Sequence, residues 1–93
     1  MPSYVVLFNW TDQGIKGYKD SPGRVDAASA EMEKLGVRIK DILWTLGPHD
    51  LVAIIEAPDD EKLTTTLLAV GAQGNVRTTT LRAYTREEFT QLI

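Results

Sequence analysis

Two short runs of the chain are apolar at every position, and they constrain the fold more than any other feature of the sequence. Tyr4 to Phe8 and Leu51 to Ile55 are far shorter than the roughly 20 residues that a membrane-spanning helix needs. Since neighbouring side chains of a strand point to opposite faces of a sheet, both faces of each run are apolar. Each run therefore predicts a strand from the middle of a sheet.

A segment with helical periodicity follows each of these two strands. The chain between the first strand and the first helix begins with a predicted turn at Thr11 to Gly14. The first helix is expected to begin at Ser21 and Pro22 and to end at Gly36, and the second is expected to begin at Pro58. The apolar stripes of the two helices are Val25, Ala28, Met32 and Leu35, and Leu63, Leu67 and Val70.

Two further strands are less apolar. Val37 to Leu46 alternates apolar and polar residues with a slip near Asp41, which predicts a half-exposed strand with a bulge. Val76 to Tyr84 is rich in threonine and predicts the last strand. Thr85 to Glu88 has the spacing of a capping box and predicts a short C-terminal helix. That helix is expected to bury Phe89, Leu92 and Ile93.

The order of these elements is strand, helix, strand, strand, helix, strand. This order predicts a single α+β domain over residues 1–93, with a ferredoxin-like βαββαβ fold and an antiparallel four-stranded sheet. The first and third strands occupy the middle of such a sheet, and they are the two fully apolar runs. The charged second and fourth strands are expected at the edges.

Two helices cover only one face of a four-stranded sheet, so the second apolar face needs another partner. In the first strand Tyr4, Val6, Phe8 and Trp10 share one side, and Val5 and Leu7 share the other. We therefore expect a homodimer or a ring of dimers in which sheet packs on sheet. The alternative is an open face that is covered by the C-terminal helix alone.

Composition excludes several classes of protein. The chain has no cysteine, which excludes disulfides, thiolate metal sites and cysteine nucleophiles. The net charge of −3 is spread along the chain, so we expect no nucleic-acid partner. The sequence has no membrane-spanning segment and its N-terminus does not resemble a signal peptide, so we expect a cytoplasmic protein without membrane contact.

Several phrases spread over nearly the whole chain resemble the GYD domain family of small bacterial and archaeal proteins. They are Lys19-Asp20-Ser21-Pro22 with Arg24, Thr45-Leu46-Gly47 with Asp50-Leu51-Val52, Glu56-Ala57-Pro58-Asp59-Asp60, and Gly74-Asn75-Val76-Arg77-Thr78 with Thr80-Leu81-Arg82-Ala83. The resemblance implies a ferredoxin-like fold of the dimeric α/β-barrel type and no established activity. His49 stands where the family usually has the tyrosine of its Gly, Tyr, Asp signature.

His49 and Asp50 are the candidate catalytic residues, because a neighbouring histidine and carboxylate can form an acid-base pair that titrates near neutral pH. The alternative is that His49 is an exposed turn residue. With a single histidine and no cysteine, we expect no metal site, and the sequence has no motif for a nucleotide or another cofactor.

The candidate ligand-binding residues come from the loops and strand ends. Lys19 and Asp20 lie in the long connection that precedes the first helix, where the alternative is that Asp20 and Ser21 cap the helix while Lys19 and Arg24 are solvated. The full set of candidate ligand-binding residues is Trp10, Lys19, Asp20, His49, Arg77 and Arg82.

The two arginines of this set lie on opposite faces of the last strand. One of them is therefore expected to point towards the open face or the subunit interface. There it would bind a carboxylate or enolate, or pair with Asp50 or Glu56 of another subunit.

Three functions are compatible with these residues. The first is a non-enzymatic small-molecule-binding or regulatory module, with a small organic acid or an aromatic metabolite bound in a cavity lined by Trp10, Arg77 and His49. The second is a cofactor-free isomerase or monooxygenase of the dimeric α/β-barrel type, which uses His49 or Asp50 as its base. The third is a structural assembly protein. The sequence does not decide whether the chain is an enzyme.

Overall fold

A computed structural model of the chain describes residues 1–93 and contains four strands and four helices. The strands are β1 (Ser3–Trp10), β2 (Arg38–Trp44), β3 (Leu51–Glu56) and β4 (Val76–Ala83). The helices are α1 (Asp12–Lys16), α2 (Ser21–Glu33), α3 (Asp60–Ala72) and α4 (Arg86–Leu92), and a 3-10 turn spans Tyr18–Asp20. The βαββαβ order predicted from the sequence is therefore confirmed.

The strands form one antiparallel sheet in the order β2-β3-β1-β4. The fully apolar strands β1 and β3 lie in the middle and the more polar strands lie at the edges, as predicted. The register of β2 against β3 shifts between Ile39 and Asp41, so the predicted bulge is also present. The Asp41 side chain accepts a hydrogen bond from the Ile42 amide beside the bulge, at 2.9 Å.

The core lies between one face of the sheet and helices α2 and α3. The ten buried apolar residues are Tyr4, Val6, Phe8, Met32, Val37, Leu51, Ala53, Ile55, Ala57 and Leu63. Val25 and Ala28 of α2, Leu35 just after that helix, and Leu67 and Val70 of α3 pack against them as predicted. Thr66 is also buried, and its hydroxyl donates to the Leu63 carbonyl at 2.7 Å.

The connection after β1 is more regular than the sequence predicted. Helix α1 replaces the predicted turn, and Thr11 caps it, because the Thr11 hydroxyl accepts a hydrogen bond from the Gly14 amide at 3.1 Å. Gly14 packs so closely against the next loop that a Cβ atom there would stand 1.9 Å from the Asn75 carbonyl oxygen. A helix of five residues is too short to show a periodic pattern in the sequence.

The alternative in which Asp20 and Ser21 cap α2 is wrong. Asp20 has helical φ and ψ of −86° and −4°, because the 3-10 turn leads directly into the helix, and it makes no side-chain cap bond. The Ser21 hydroxyl instead accepts a hydrogen bond from Trp44 Nε1 at 3.0 Å. Arg24 is not simply solvated, since it donates to the carbonyls of Gly14 at 3.2 Å and Gly17 at 2.9 Å.

The C-terminal helix forms as predicted but does not bury its apolar residues. The capping box is complete, because Thr85 and Glu88 each accept a hydrogen bond from the backbone amide of the other. Phe89, Leu92 and Ile93 are nevertheless 55%, 63% and 92% exposed. The helix follows an edge strand, and no residue of α4 is buried against the rest of the chain. No helix combines the length and apolarity that crossing a membrane requires.

Candidate functional site

The sheet face that points away from α2 and α3 is the candidate site, and we call it the open face. Strand register places two rows of side chains across all four strands of this face. One row is Leu43, Val52, Leu7 and Thr79, and the other is Asp41, Ile54, Val5 and Leu81. Six of these eight residues are apolar, which confirms that the central strands are apolar on both faces.

These apolar side chains remain accessible to water within one chain. Leu43 is 58% exposed, Ile54 is 40% exposed and Leu81 is 50% exposed, and the side chains between them are half-buried by their neighbours. The C-terminal helix does not cover them, because its own apolar residues are exposed. The alternative in which that helix alone covers the open face is therefore wrong. A contiguous apolar surface of this kind is typical of an interface.

One end of the open face is a concave site of about 380 Å³. Val5 and Ile54 line it together with Tyr84. Its polar residues are Ser3, Lys40, Asp41 and Thr85, of which Lys40 and Asp41 belong to the bulge of β2. The bulge therefore brings an ammonium and a carboxylate to the rim of an apolar surface.

The opposite end of the open face carries His49. Its Nδ1 lies 2.7 Å from Asn9 Oδ1, and Asn9 Nδ2 donates to the Pro48 carbonyl at 2.8 Å. Because the Asn9 amide nitrogen is the donor to Pro48, its oxygen is an acceptor, and His49 Nδ1 carries the proton. Nε2 of His49 is therefore the ring nitrogen that can accept a hydrogen bond from a ligand.

His49 and Asp50 do not form a hydrogen-bonded pair with each other. The Asp50 carboxylate accepts a hydrogen bond from the Trp10 amide at 2.8 Å, and the Asp50 amide donates to the Phe8 carbonyl at 2.8 Å. These bonds fix the turn before β3 to the end of β1. Asp50 is therefore hydrogen-bonded to the backbone of β1, and His49 is hydrogen-bonded to the Asn9 side chain.

The two arginines of β4 have different surroundings. The Arg82 guanidinium carbon lies 4.4 Å from the centre of the Tyr84 ring and 5.6 Å from that of Tyr4, and Arg82 donates to the carbonyls of Ser3 and Ala83. Arg77 is exposed, and in the strand register it pairs with Asn9, whose side chain contacts His49. Its guanidinium reaches around the strand edge towards α3, where it lines a groove with Gly71. The carboxylate of Glu56 pairs with Arg38 of the same chain at 3.3 Å.

The other candidate residues lie elsewhere. Trp10 belongs to the helix side of the sheet, where it lines an apolar cavity of about 60 Å³ with Val25 and Met32. Lys19 and Asp20 are exposed in the 3-10 turn. A single chain therefore does not bring Trp10 into one cavity with His49 and Arg77. No group of three or more histidine, cysteine, aspartate or glutamate side chains is arranged to hold a metal ion.

One polar pair was missed by the sequence reasoning. The buried Tyr4 donates a hydrogen bond from its hydroxyl to the Asp60 carboxylate in the first turn of α3. Burial of the hydroxyl, the bond to Asp60 and the negative charge of that carboxylate raise the pKa of Tyr4 from 10.0 to about 12. The two residues are 56 positions apart, and no local pattern connects them.

Comparison with known proteins gives a family and a fold. A family model described as the GYD domain matches residues 4–93. A protein of Thermus thermophilus named "Glutamine synthetase and cystathionine beta-lyase binding protein" is 34% identical over 84 residues, which are 89% of this chain and 88% of that protein.

Two solved structures are similar over most of this chain. A crystal structure of a protein from Thermus thermophilus has a TM-score of 0.56 and 27% identity, and the match covers 92% of this chain and all of that one. The leucine response regulatory protein LrpA of Mycobacterium tuberculosis has a TM-score of 0.59 and 19% identity, over 90% of this chain and 51% of that chain. At that identity the second likeness concerns the fold alone, which is ferredoxin-like.

Proposed function

This chain belongs to the GYD domain family, and on that premise we propose that it is a non-enzymatic binding or regulatory module that acts as a homo-oligomer. The proposed unit is one domain over residues 1–93 in the cytoplasm. The observation that carries the proposal is the open face, whose apolar side chains cross all four strands and have no cover within the chain.

A second copy of the chain is the proposed cover of the open face. Its own open face offers the same apolar rows, so a two-fold axis between the sheets would match apolar surface with apolar surface. A stable interface buries about 800 Å² on each partner, which corresponds to much of one face of a small sheet. The resulting dimer would have two packed sheets in its centre and two helices of each subunit outside. A ring of such dimers is the larger assembly that we proposed from the sequence.

Proteins are the proposed partners of this assembly. The support is the relative whose name describes the binding of two enzymes, and which matches this chain along nearly its whole length. Regulation through such contacts needs no catalytic group. This agrees with the bonds that hold His49 and Asp50 to Asn9 and Trp10 rather than to each other.

A small organic acid or an aromatic metabolite is the proposed effector. His49 lies at one end of the open face, where its Nε2 can accept a hydrogen bond from a hydroxyl group of a ligand. The guanidinium of Arg77, at the strand edge beside that end, suits a carboxylate. The remaining predicted ligand contacts, Trp10, Lys19, Asp20 and Arg82, lie outside this end and stay predictions. No specific observation favours the isomerase, the monooxygenase or the purely structural alternative.

Measurement of the molar mass in solution tests the proposal. The wild-type chain is expected to be a dimer or larger at micromolar concentration, as measured by sedimentation or light scattering. Ile54→Glu should give a folded monomer, because it adds a charge to an apolar row of the open face, beside Asp41. Leu68→Glu is the matched control, since Leu68 is an exposed leucine of α3 on the other side of the molecule. A wild-type monomer would sink the proposal.

A further inference from the structure

The outer edge of β4 is an uncovered strand edge. β4 is the last strand of the sheet and pairs with β1 alone. Its residues 79–82 are exposed at four consecutive positions, so both faces of this part of the strand and its outer edge are open to water. Natural proteins usually protect such edges, because they can pair with another chain.

The hydrogen bonds next to the sheet show which backbone groups of β4 are free. The Thr11 amide donates to the Asn75 carbonyl at 3.0 Å, one position beyond the register pair of Trp10 and Val76. Since the bonding direction alternates along an antiparallel pair, the amides and carbonyls of the odd-numbered residues of β4 point towards β1. The bond from the Ala57 amide to the Pro2 carbonyl agrees with this assignment, because it shows that the amides and carbonyls of the even-numbered residues of β1 point towards β3.

The even-numbered residues of β4 therefore present their amides and carbonyls outwards. They are Val76, Thr78, Thr80 and Arg82. From Thr78 to Arg82 this arrangement is a regular row of donors and acceptors, and the Arg77 side chain passes the edge at the start of the strand. The register of β4 has no shift, whereas β2 at the other edge is interrupted by a bulge and carries Arg38, Lys40 and Asp41. β4 is thus the edge of this sheet that can accept another strand.

A groove runs beside this edge on the helix side. It has a volume of about 490 Å³ and lies between α3 and β4. The residues that line it are Thr64, Leu67, Leu68, Gly71, Ala72, Arg77, Thr78 and Thr80. A strand added to β4 would place every second side chain over this groove, against Leu67 and the exposed Leu68.

The charge of the groove indicates what kind of segment fits. Arg77 is the one charged residue that lines it, and its guanidinium makes no ion pair or hydrogen bond within the chain. A second copy of β4 would bring its own Arg77 and Arg82 and no carboxylate. Pairing of β4 with itself would therefore gather four guanidinium groups on two strands. An acidic segment of another protein is the better match.

We propose that the outer edge of β4 binds an extended segment of a partner protein by strand addition, with apolar side chains over the α3–β4 groove and a carboxylate at Arg77. Main-chain hydrogen bonds would provide affinity, and the groove and Arg77 would provide selectivity. The inference rests on the proposed role in binding proteins and does not depend on dimerisation through the open face.

Selection from a random octapeptide library tests the inference. Peptides captured by the wild-type protein should have an apolar residue at every second position and should carry an aspartate, a glutamate or a free terminal carboxylate. Thr80→Pro removes an outward amide without removing a bond to β1, and should weaken binding of the selected peptide about ten-fold or more. Thr80→Val changes the side chain but keeps that amide, so it should weaken binding much less than Thr80→Pro. A library that yields no peptide preferring the wild type to Thr80→Pro overturns the inference.

Three further measurements do not depend on how the proline variant folds. A selected peptide should shift the amide NMR signals of Thr78 and Thr80. The same peptide with N-methylated backbone amides should not bind. The Arg77→Glu variant should prefer a peptide in which lysine replaces the acidic residue. Equal binding of the N-methylated peptide would overturn strand addition. Shifts of the same amides with protein concentration alone would identify a second copy as the occupant, against the inference. Unchanged peptide binding by Ile54→Glu separates this site from the open face.

Discussion

The Tyr4 hydroxyl lies where the core meets the first turn of α3, and its bond to Asp60 connects β1 to that helix. Burial of Tyr4 disfavours its phenolate form. The Asp60 carboxylate has the same effect, because it accepts a hydrogen bond from the neutral hydroxyl and would repel the negative charge of a phenolate. The guanidinium of Arg82 over the ring acts in the opposite direction but does not prevail. Tyr4 therefore stays neutral in the folded chain at pH values where an exposed tyrosine ionises.

The raised pKa of Tyr4 predicts a loss of stability at alkaline pH. Its contribution should be complete below pH 10.0, the pKa of an unperturbed tyrosine, and should be lost as the pH rises through about 12. The free energy of unfolding of the wild type should thus fall more steeply over this range than that of Tyr4→Phe. Tyr4→Phe should also be about 1 kcal/mol less stable at neutral pH, because Asp60 loses its partner. Denaturant unfolding at a series of pH values measures both effects.

Tyr18→Phe is the matched control for this prediction. Tyr18 is 55% exposed in the 3-10 turn, and its hydroxyl makes no hydrogen bond. Removing this hydroxyl should therefore leave the steep loss of stability at alkaline pH unchanged. Parallel stability curves for the wild type and Tyr4→Phe would show that the Tyr4 hydroxyl does not carry the effect.

At the residue scale, the sequence predicts contacts whose partners are close in the chain. The Thr85 and Glu88 capping box and the positive φ of Gly36, 74°, follow from local patterns. The bond between Ser21 and Trp44 spans 23 positions, and that between His49 and Asn9 spans 40. These partners are chosen by the packing of whole elements, so residue types and spacing do not reveal them.

Helix α4 depends on its cap more than the longer helices do. It has seven residues and none of them is buried, so neither length nor packing stabilises it. The Thr85 amide donates to the Glu88 carboxylate at 2.8 Å, and this bond holds the pKa of Glu88 below its usual 4.5. The cap therefore connects the helical state of the C-terminus to the charge of one carboxylate.

Acidification should unfold α4 before the rest of the chain. Because the pKa of Glu88 is lowered in the helix, its contribution is present above pH 4.5 and is lost as the pH falls through the lower value. Carbon chemical shifts of residues 86–92 should move towards random-coil values over that range. Glu88→Ala should cause the same change at neutral pH, whereas Glu87→Ala, which lacks the capping bond, should not. Helical shifts that persist in Glu88→Ala would contradict the prediction.

At the element scale, length and periodicity decide what the sequence predicts. The four strands, the two long helices and the bulge near Asp41 each leave a repeated pattern over several residues. Helix α1 and the 3-10 turn leave none, since they are positioned by bonds to distant backbone such as that of Arg24 to Gly14 and Gly17. The predicted burial of the C-terminal helix failed because an amphipathic pattern does not identify the surface that covers it.

The whole molecule is a thin plate with extents of 45 × 30 × 17 Å. Its smallest extent corresponds to a sheet and one layer of helices, which leaves the open face as the boundary with water. The topology that creates this face follows from the sequence, because the two fully apolar strands must lie in the middle. The position of His49 and Arg77 at one end of this face does not follow from the sequence, since that position depends on the register of β1 against β4.

Association through the open face predicts that thermal stability depends on protein concentration. If only the dimer covers Val5, Leu7 and Ile54, dilution exposes them and lowers the apparent Tm. A hundred-fold increase in concentration above the dissociation constant should add about 2.7 kcal/mol per dimer, or about 1.4 kcal/mol per chain, which corresponds to roughly 5 to 10 °C in a domain of this size. Ile54→Glu should have a lower Tm that does not change with concentration, while Leu68→Glu should follow the wild type. Calorimetry over a hundred-fold range of concentration tests this, and a wild-type Tm that stays constant across the range would mean that the open face faces water in the native state.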